Sequence, residues 1–587
     1  MSDENLISRV YSGFRGVDFR GEEINLVRSP DALNVWKDYK CTESIRTRPE
    51  MELKVSFDDT IYGVFFFNDE MLVHSGTKLY KVVNGVKTEL YSDLREANSD
   101  SFIFYDDNKG KHCWFFKDGK HYLQYDGETI GDVVGYVPTT SIGRRPAGGG
   151  TTKEYVNFLS SRRINTFLSD SVSTEYFLDY LKIDEDFKPV VKILNGKGKW
   201  QEVTDCFEVD YEEGKIIFNA SFTLEGIVDE NGEEKSLSCP PMPFTDGQDN
   251  VSIEYSKTNT MYRETILKCT LLQVFDNRVF FSGHPDYPNR IYNCNLNDPT
   301  YCDDRDHYQE GTDNAKVKGM VAGNNALWVF REPSQANTTV FYHTPTIDEA
   351  EGKIYPNTHS SVSTGCIGKA INFNDDIVFF SERGMEGISG DITTEQVLGH
   401  RSSLVDSKMI AEKDYKNMTL AEWEGYLFVF IGNKAYLADS RATFTNENHF
   451  EYDWFYWQMP KAITCARVEK GILYLGTEDG VYTLTDTKSA VESYWVTPKD
   501  KFKYPHKLKT TNKRGCVVEA TGDVSVYAKL EDTGFELIGK YENVTDYFVS
   551  RIKRKKFKDL QLKFYSPTGF SLETATLECF IGGYIKR

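Results

Sequence analysis

The chain has 587 residues, 40% hydrophobic, 27% charged and 14% aromatic, the last made of 38 Phe, 35 Tyr and 8 Trp. That length is several times a domain of roughly 100–200 residues, and the composition argues against a disordered or membrane-embedded chain. With 69 Lys and Arg against 89 Asp and Glu, the formal charge is −20, the wrong sign for a surface that grips duplex DNA by displacing counterions.

Aromatic side chains pack well on half-buried pleated surfaces, so the aromatic share favours an all-β chain. The first residues, MSDENLISRVYSGFRG, are polar and acidic with no apolar core, so no signal peptide is predicted, and no run approaches 18 apolar residues. The 11 Cys are scattered, with Cys294 and Cys302 as the one close pair and no CxxC or Cys/His metal spacing; buried, reduced thiols are the expectation.

In chain order, residues 29–40 (SPDALNVWKDYK) read as a short helix capped by Ser29 with Pro30 at its first position. A repeated phrase then begins at Ile61: an apolar run, a tight polar turn, a second apolar run ending near Ser or Gly, then an aromatic strand. It recurs from Phe102, and after a long gap from Leu271, Val317, Ile371, Leu420 and Ile463. Pairs such as Asn68-Asp69, Asn84-Gly85, Asp276-Asn277 and Asn324-Asn325 supply the positive φ that two-residue hairpins need. Seven antiparallel units at this spacing, with no room for crossover helices, predict an irregular β-propeller of six to eight blades.

The gap breaks the rhythm. Residues 141–260 read as an inserted, mostly β domain, opening on IGRRPAGGGTT (142–152) and containing the strand–turn–strand CFEVDYEEGKIIFN (206–219). After 489 the spacing changes again, to alternating strands of a C-terminal β-sandwich-like domain. The predicted organisation is 1–140 for the N-terminal segment and first blades, 141–260 for the insert, 261–488 for the remaining blades and 489–587 for the C-terminal domain.

Chemistry-bearing motifs are scarce. There is no HExxH, GxSxG, GxxxxGK[ST] or GxGxxG, and no SxDxGxxW Asp-box, so no catalytic residue, cofactor or metal is predicted. His112 and His121 flank a predicted hairpin, where they either meet across strands or stay half-exposed. The stretch DPTYCDDRDHY (298–308) clusters Asp residues without an EF-hand's glycine and closing Glu, and reads as a solvated acidic loop. RIKRKKFK (551–558) is the one basic cluster: a Lys-blocked edge strand, a face for an acidic partner, or a nucleic-acid patch. In the glycine-rich loop, Gly148, Gly149 and Gly150 maximise backbone freedom while Arg144 and Arg145 offer forked donors. That loop is either an inter-subunit element or a hinge into the insert.

Residues 13–50 carry a resemblance. The phrase GFRGVDFRGEEINLVRSPDALNVWKDYKCTESIRTRPE resembles the start of podophage-type tail tubular proteins, the tail nozzle or packaged-DNA stabilisation proteins of tailed bacteriophages. The matching positions are Gly16, Asp18, Pro30, Asp31, Ala32, Asn34, Arg48 and Pro49, with Glu50 where the family has glycine. FDNRVFFSGHPDYPNRIYNCNLNDPTYCDD (275–304), VFREPS (329–334) and GCIGKAINFNDDIVFFSERGMEGI (365–388) resemble later phrases in the same order. The resemblance implies a non-enzymatic virion protein, assembled in the host cytoplasm into a tail ring of six copies. That ring would extend the DNA channel below portal and adaptor, contact other tail proteins, and pass the genome without sequence-specific binding or membrane insertion. Two other readings stay open: a receptor- or glycan-binding propeller at the tail tip, and a tail-hub or baseplate component of a long-tailed phage.

Overall fold

A computed structural model describes every residue except 1–5, 22–23, 41–43, 108, 229–231, 238–246, 337, 349–351, 390–395, 447–448, 486–489, 554 and 586–587. The prolines at 240–243 that close the insert, and the boundary at 488–489, lie outside the described residues. The fold is all-β, of the propeller class. Among the described residues seven four-stranded antiparallel sheets supply the blades, and each of the seven repeated phrases begins within two residues of the start of a strand in one of them.

The reason lies in the turns. Asn68 and Asp69, Asp276 and Asn277, Asn324 and Asn325, and Asn374 and Asp375 all have φ between 49° and 64°, the paired left-handed conformation of a two-residue hairpin. Glu424-Gly425 and Lys470-Gly471 do the same with glycine in second place.

The chain divides into two compact units, residues 1–99 with 315–587, and residues 100–314. The first holds five blades. Four are continuous in sequence, and the fifth is completed by Glu50–Ser56 pairing antiparallel with Gly480–Thr485, so a strand from early in the chain closes a sheet made late.

This unit also contains the sandwich-like C-terminal domain, built on one eleven-stranded sheet. Its spine is the 24-residue strand Lys507–Leu530, flanked on one side by Glu536–Val544, Tyr547–Ser550 and Lys556–Phe557 and on the other by Leu560–Ser566 and Phe570–Tyr584. Leu6–Tyr11 pairs with Phe570–Tyr584, and Ala32–Leu33, Val35–Lys37 and Ile45–Thr47 also join this sheet. Residues 29–40 are therefore extended, not helical. Asn34, at φ 55°, turns the chain between two short strands, and pairing with Ser493–Val496 outweighs the local capping signal.

The second unit holds two blades, their first strands Asp100–Asp106 and Leu271–Phe275 packed side by side, and the insert. The insert has a six-stranded sheet that includes Thr139–Arg144, Arg162–Phe167 and Val251–Ser256, plus a three-stranded and a two-stranded sheet. Its own core comprises Phe167, Tyr176, Val191, Ile193, Ile216, Leu224, Val251, Ile253 and Tyr255, all buried. The helix Thr260–Leu267, capped by the Asn259 side chain accepting from the Met261 N–H, leads back into the next blade.

Candidate functional site

The glycine-rich segment is a folded hairpin. Thr139–Arg144 pairs with Thr151–Thr152, and Arg145 and Gly148 exchange backbone hydrogen bonds of 3.1 and 2.8 Å around Pro146 and Ala147. Gly148, Gly149 and Gly150 have φ of 115°, 80° and 93°, and a Cβ on Gly150 would stand 2.5 Å from Arg144 Cγ and 2.8 Å from the Ile142 carbonyl oxygen. Arg144 holds the loop folded on itself despite the backbone freedom of its three glycines. Its buried guanidinium donates to the Gly149 carbonyl at 2.7 Å and the Phe177 carbonyl at 3.0 Å, and lies over the Phe167 ring. Arg144 thus binds the hairpin to its own sheet, while Arg145, Gly149 and Gly150 remain exposed at the tip.

The phrase that carries the family resemblance forms a clamp. Gly16, at φ 82°, donates nothing from a side chain and needs none: a Cβ there would lie 1.9 Å from the Trp454 carbonyl oxygen. The Val17 N–H donates to that same oxygen at 2.7 Å. Asp453, fully buried, accepts from Arg15 Nε at 2.5 Å and Arg28 Nη2 at 2.7 Å. Asn34 Oδ1 accepts from Arg48 Nε at 3.0 Å and the Gln458 N–H at 2.8 Å, and burial of the Arg48 guanidinium pulls its pKa down to about 10. Asp31 accepts from Tyr494 at 3.1 Å. These side chains fasten residues 13–50 onto the blade strand His449–Gln458 and onto the C-terminal sheet.

The acidic loop at 298–308 serves as the seat of the insert. Asn157 Nδ2 donates to the Tyr136 and Thr300 carbonyls at 2.9 and 2.8 Å, and its Oδ1 accepts from the Cys302 N–H at 3.0 Å. Asp303 is therefore buried, not solvated. Desolvation, with Asp304 and Asp306 nearby, raises its pKa to about 7 despite a hydrogen bond from the Arg305 N–H. Cys302 of this loop forms a disulfide with Cys294, four residues before the loop begins, correcting the expectation of thiols throughout. The loop folds back through an Asn295 N–H to Tyr301 carbonyl bond of 2.7 Å, which sets the two residues side by side. Six of the seven described free cysteines are buried, Cys465 being partly exposed.

Among the described residues the histidines do not assemble a centre. His112 sits opposite Tyr105 at one end of Lys111–Lys117, whereas His121 belongs to the turn beyond the other end, bonded to Asp118 at 3.1 Å. His400 is held by two carboxylates: Nε2 meets Asp406 at 2.5 Å and Nδ1 meets Glu386 at 3.3 Å. Burial works against its charged form, but the two carboxylates prevail and raise its pKa to about 10. Ser402 donates to Asp406 at 2.6 Å, so the carboxylate lies between hydroxyl and imidazole. That order leaves the imidazole without a hydroxyl to deprotonate, unlike a nucleophilic triad. Among the described residues no group of three or more His, Cys, Asp or Glu is arranged to hold a metal ion, and no helix is long and apolar enough to cross a membrane.

In the basic segment 551–558, among the described residues, only Lys556–Phe557 is strand. Ile552 and Phe557 are buried, and Arg551, Lys553, Lys555, Lys556 and Lys558 are exposed. Lys556–Phe557 pairs with Lys509–Thr510 of the long spine strand.

No protein-family model matches the chain, and no curated protein matches it. Among solved structures it is similar to BamB from Moraxella catarrhalis, at 11% identity, covering 75% of this chain and 97% of that one with a TM-score of 0.31. BBS1N, solved in complex with ARL6DN, is similar at 9% identity, 75% and 98% coverage and a TM-score of 0.25. An exo-beta-1,3-galactanase from Phanerochaete chrysosporium is similar at 8% identity, 52% and 94% coverage and a TM-score of 0.21. Likenesses this loose carry no argument about what the chain does.

Proposed function

We propose that this protein is a structural virion component: one subunit of a six-copy ring in the tail nozzle of a tailed bacteriophage. The ring extends the DNA channel below portal and adaptor, retains the packaged genome and lets it leave at infection, without catalysis. The observation that supports the reading best is the use made of the resembling positions. Gly16, Asn34 and Arg48 lock the N-terminal block to a blade and to the C-terminal sheet, as expected where a shared phrase preserves architecture and not a reaction centre. Charge agrees with it. Residues 1–488 carry 51 Lys and Arg against 77 Asp and Glu, and an acidic wall lets duplex DNA pass without counterion-release binding. The exposed tip of the glycine hairpin, with Arg145, suits an inter-subunit contact.

The test is the mass of the purified protein at low and high concentration, with negative-stain images of the same samples. Closed rings around a hole wide enough for duplex DNA are expected. A monomer at every concentration that binds immobilised cell-wall glycan would overturn the conduit and make the chain a receptor-binding propeller.

A further inference from the structure

A cleft of about 340 Å³ opens in the C-terminal domain between the spine strand, the start of Glu536–Val544 and the segment that follows Tyr547–Ser550. Its size falls at the lower end of the roughly 300–1,000 Å³ typical of ligand-holding clefts. The lining is apolar within: Ala528 and Ile552 are buried, and Leu530 and Ile538 are half-buried. Leu537, 55% exposed, stands among the lining side chains, and Phe535, 39% exposed, lies two residues before it.

Four further lining groups, Arg551, Lys553, Lys555 and Lys556, are cationic. Arg551, Lys553 and Lys556 have no carboxylate within ion-pairing distance among the described residues, while Lys555 has Glu536 at 3.7 Å. Glu531, the other acidic lining residue, accepts a hydrogen bond from the Lys558 N–H. Glu536–Val544 pairs only with the spine strand, so its outer edge is open among the described strands.

The surrounding domain has the same bias. Residues 489–587 carry 18 Lys and Arg against 12 Asp and Glu, inside a chain whose other residues are strongly acidic. Such a cleft asks two things of its occupant: an apolar side chain to displace water from the floor, and carboxylates to meet the rim. A phosphate backbone supplies the charge alone.

The insert presents both on one loop. Leu181 is 63% exposed, and Glu185 and Asp186, three and four residues after Lys182 turns the chain at φ 53°, are exposed without an ion pair among the described residues. The loop is held in shape from behind. The Leu178, Lys182 and Ile183 N–H groups donate to the carbonyls of Gly214, Glu212 and Tyr211 at 2.9, 3.0 and 2.9 Å, so little ordering remains to be done on binding.

We infer that the 181–186 loop of a second copy seats in this cleft, Leu181 on the apolar floor and Glu185 and Asp186 against Arg551, Lys553 and Lys556. Because donor loop and receiving cleft are different surfaces of one chain, the contact is heterologous, the kind that generates a ring when its rotation closes. It rests on the ring reading above and names the surfaces that join its neighbours.

The experiment uses the full chain and charge reversal. Lys553→Glu with Lys556→Glu, and separately Glu185→Lys with Asp186→Lys, alter exposed side chains, and unchanged melting temperatures confirm folding. Each pair is expected to raise the concentration for half-maximal association by about ten-fold or more, and the four changes together to restore association to within about three-fold of the parent. Rings that assemble equally well in both double variants would overturn this contact while leaving the nozzle reading intact. A parent chain that stays monomeric would overturn both. Unchanged assembly with loss of duplex-DNA retention in the lysine variant would assign the cleft to nucleic acid instead.

Discussion

Residues 13–50 and residues 551–558 are both rich in basic side chains, and the fold uses them in opposite ways. In the N-terminal block Arg28 and Arg48 are buried, and their guanidinium groups donate to Asp453, to Asn34 and to the Pro49 carbonyl. In the C-terminal segment, among the described residues, Ile552 and Phe557 turn inward while Arg551, Lys553, Lys555, Lys556 and Lys558 stay in solvent. Paired, desolvated charge is costly to break because removing one partner strands the other. Exposed charge is nearly free to change and is therefore the kind available for recognition. Basic composition alone does not separate the two; the neighbouring carboxylates and the open face do.

The sharpest way to break this contrast is Asp453→Ala, which leaves Arg15 and Arg28 facing each other without their shared carboxylate. A loss of about 3–5 kcal/mol is expected, read as a fall in the melting temperature of the unit containing residues 1–99 and 315–587. Gly16→Ala comes next, at about 2–4 kcal/mol, since its methyl group would collide with the Trp454 carbonyl and the backbone would be strained at φ 82°. A similar fold stability in Gly16→Ala and the parent chain would show that the block is not clamped as described.

A third change tests the seam beneath the insert. Asp303 holds its proton more tightly when folded than unfolded, so its favourable contribution is present at low pH and is lost as pH rises from about 4 to about 7. Asp303→Asn should therefore stabilise the 100–314 unit by about 1–2 kcal/mol at pH 8 and by nothing measurable at pH 4, in paired melting curves. Arg144→Ala, which removes the fork joining the Gly149 and Phe177 carbonyls, should cost about 1–2 kcal/mol, and proteolysis would then nick the hairpin near Gly149. Smallest of all, Lys553→Glu with Lys556→Glu should leave stability within about 0.5 kcal/mol of the parent. A large loss there would mean the strand's charges belong to the fold after all.

The blades were legible because their signal is local. Asn-Asp, Asp-Asn, Asn-Asn and Lys-Gly pairs between apolar runs demand left-handed turns, whatever lies elsewhere in the chain. Residues 29–40 misled for the converse reason. Their capping pattern is local, but the partners that hold them extended, Ser493–Val496 and the Gln458 N–H, lie more than 400 residues away in sequence. Arg144 shows the same limit at shorter range, since Phe177 and Phe167 decide that its guanidinium turns inward. Asp303 looked like one carboxylate among several in a polar loop, and only the packing of Asn157 over that loop buries it. The basic cluster at 551–558 was visible, but the cleft beside it needs the spine strand and Glu536–Val544 to exist.

The closing of a blade by Glu50–Ser56 against Gly480–Thr485 sets a timetable for synthesis. Ser56 meets Gly480, so a newly made edge must wait while roughly 400 further residues emerge, on the order of 20–80 s at 5–20 residues per second. Leu6–Tyr11 waits longer still, because its partners begin at Ala575. Throughout that interval both segments are unpaired strands on the ribosome, open to neighbouring nascent chains. A messenger translated by closely spaced ribosomes would therefore favour exchanged strands between copies, and slowing initiation should raise the yield of correctly closed chains.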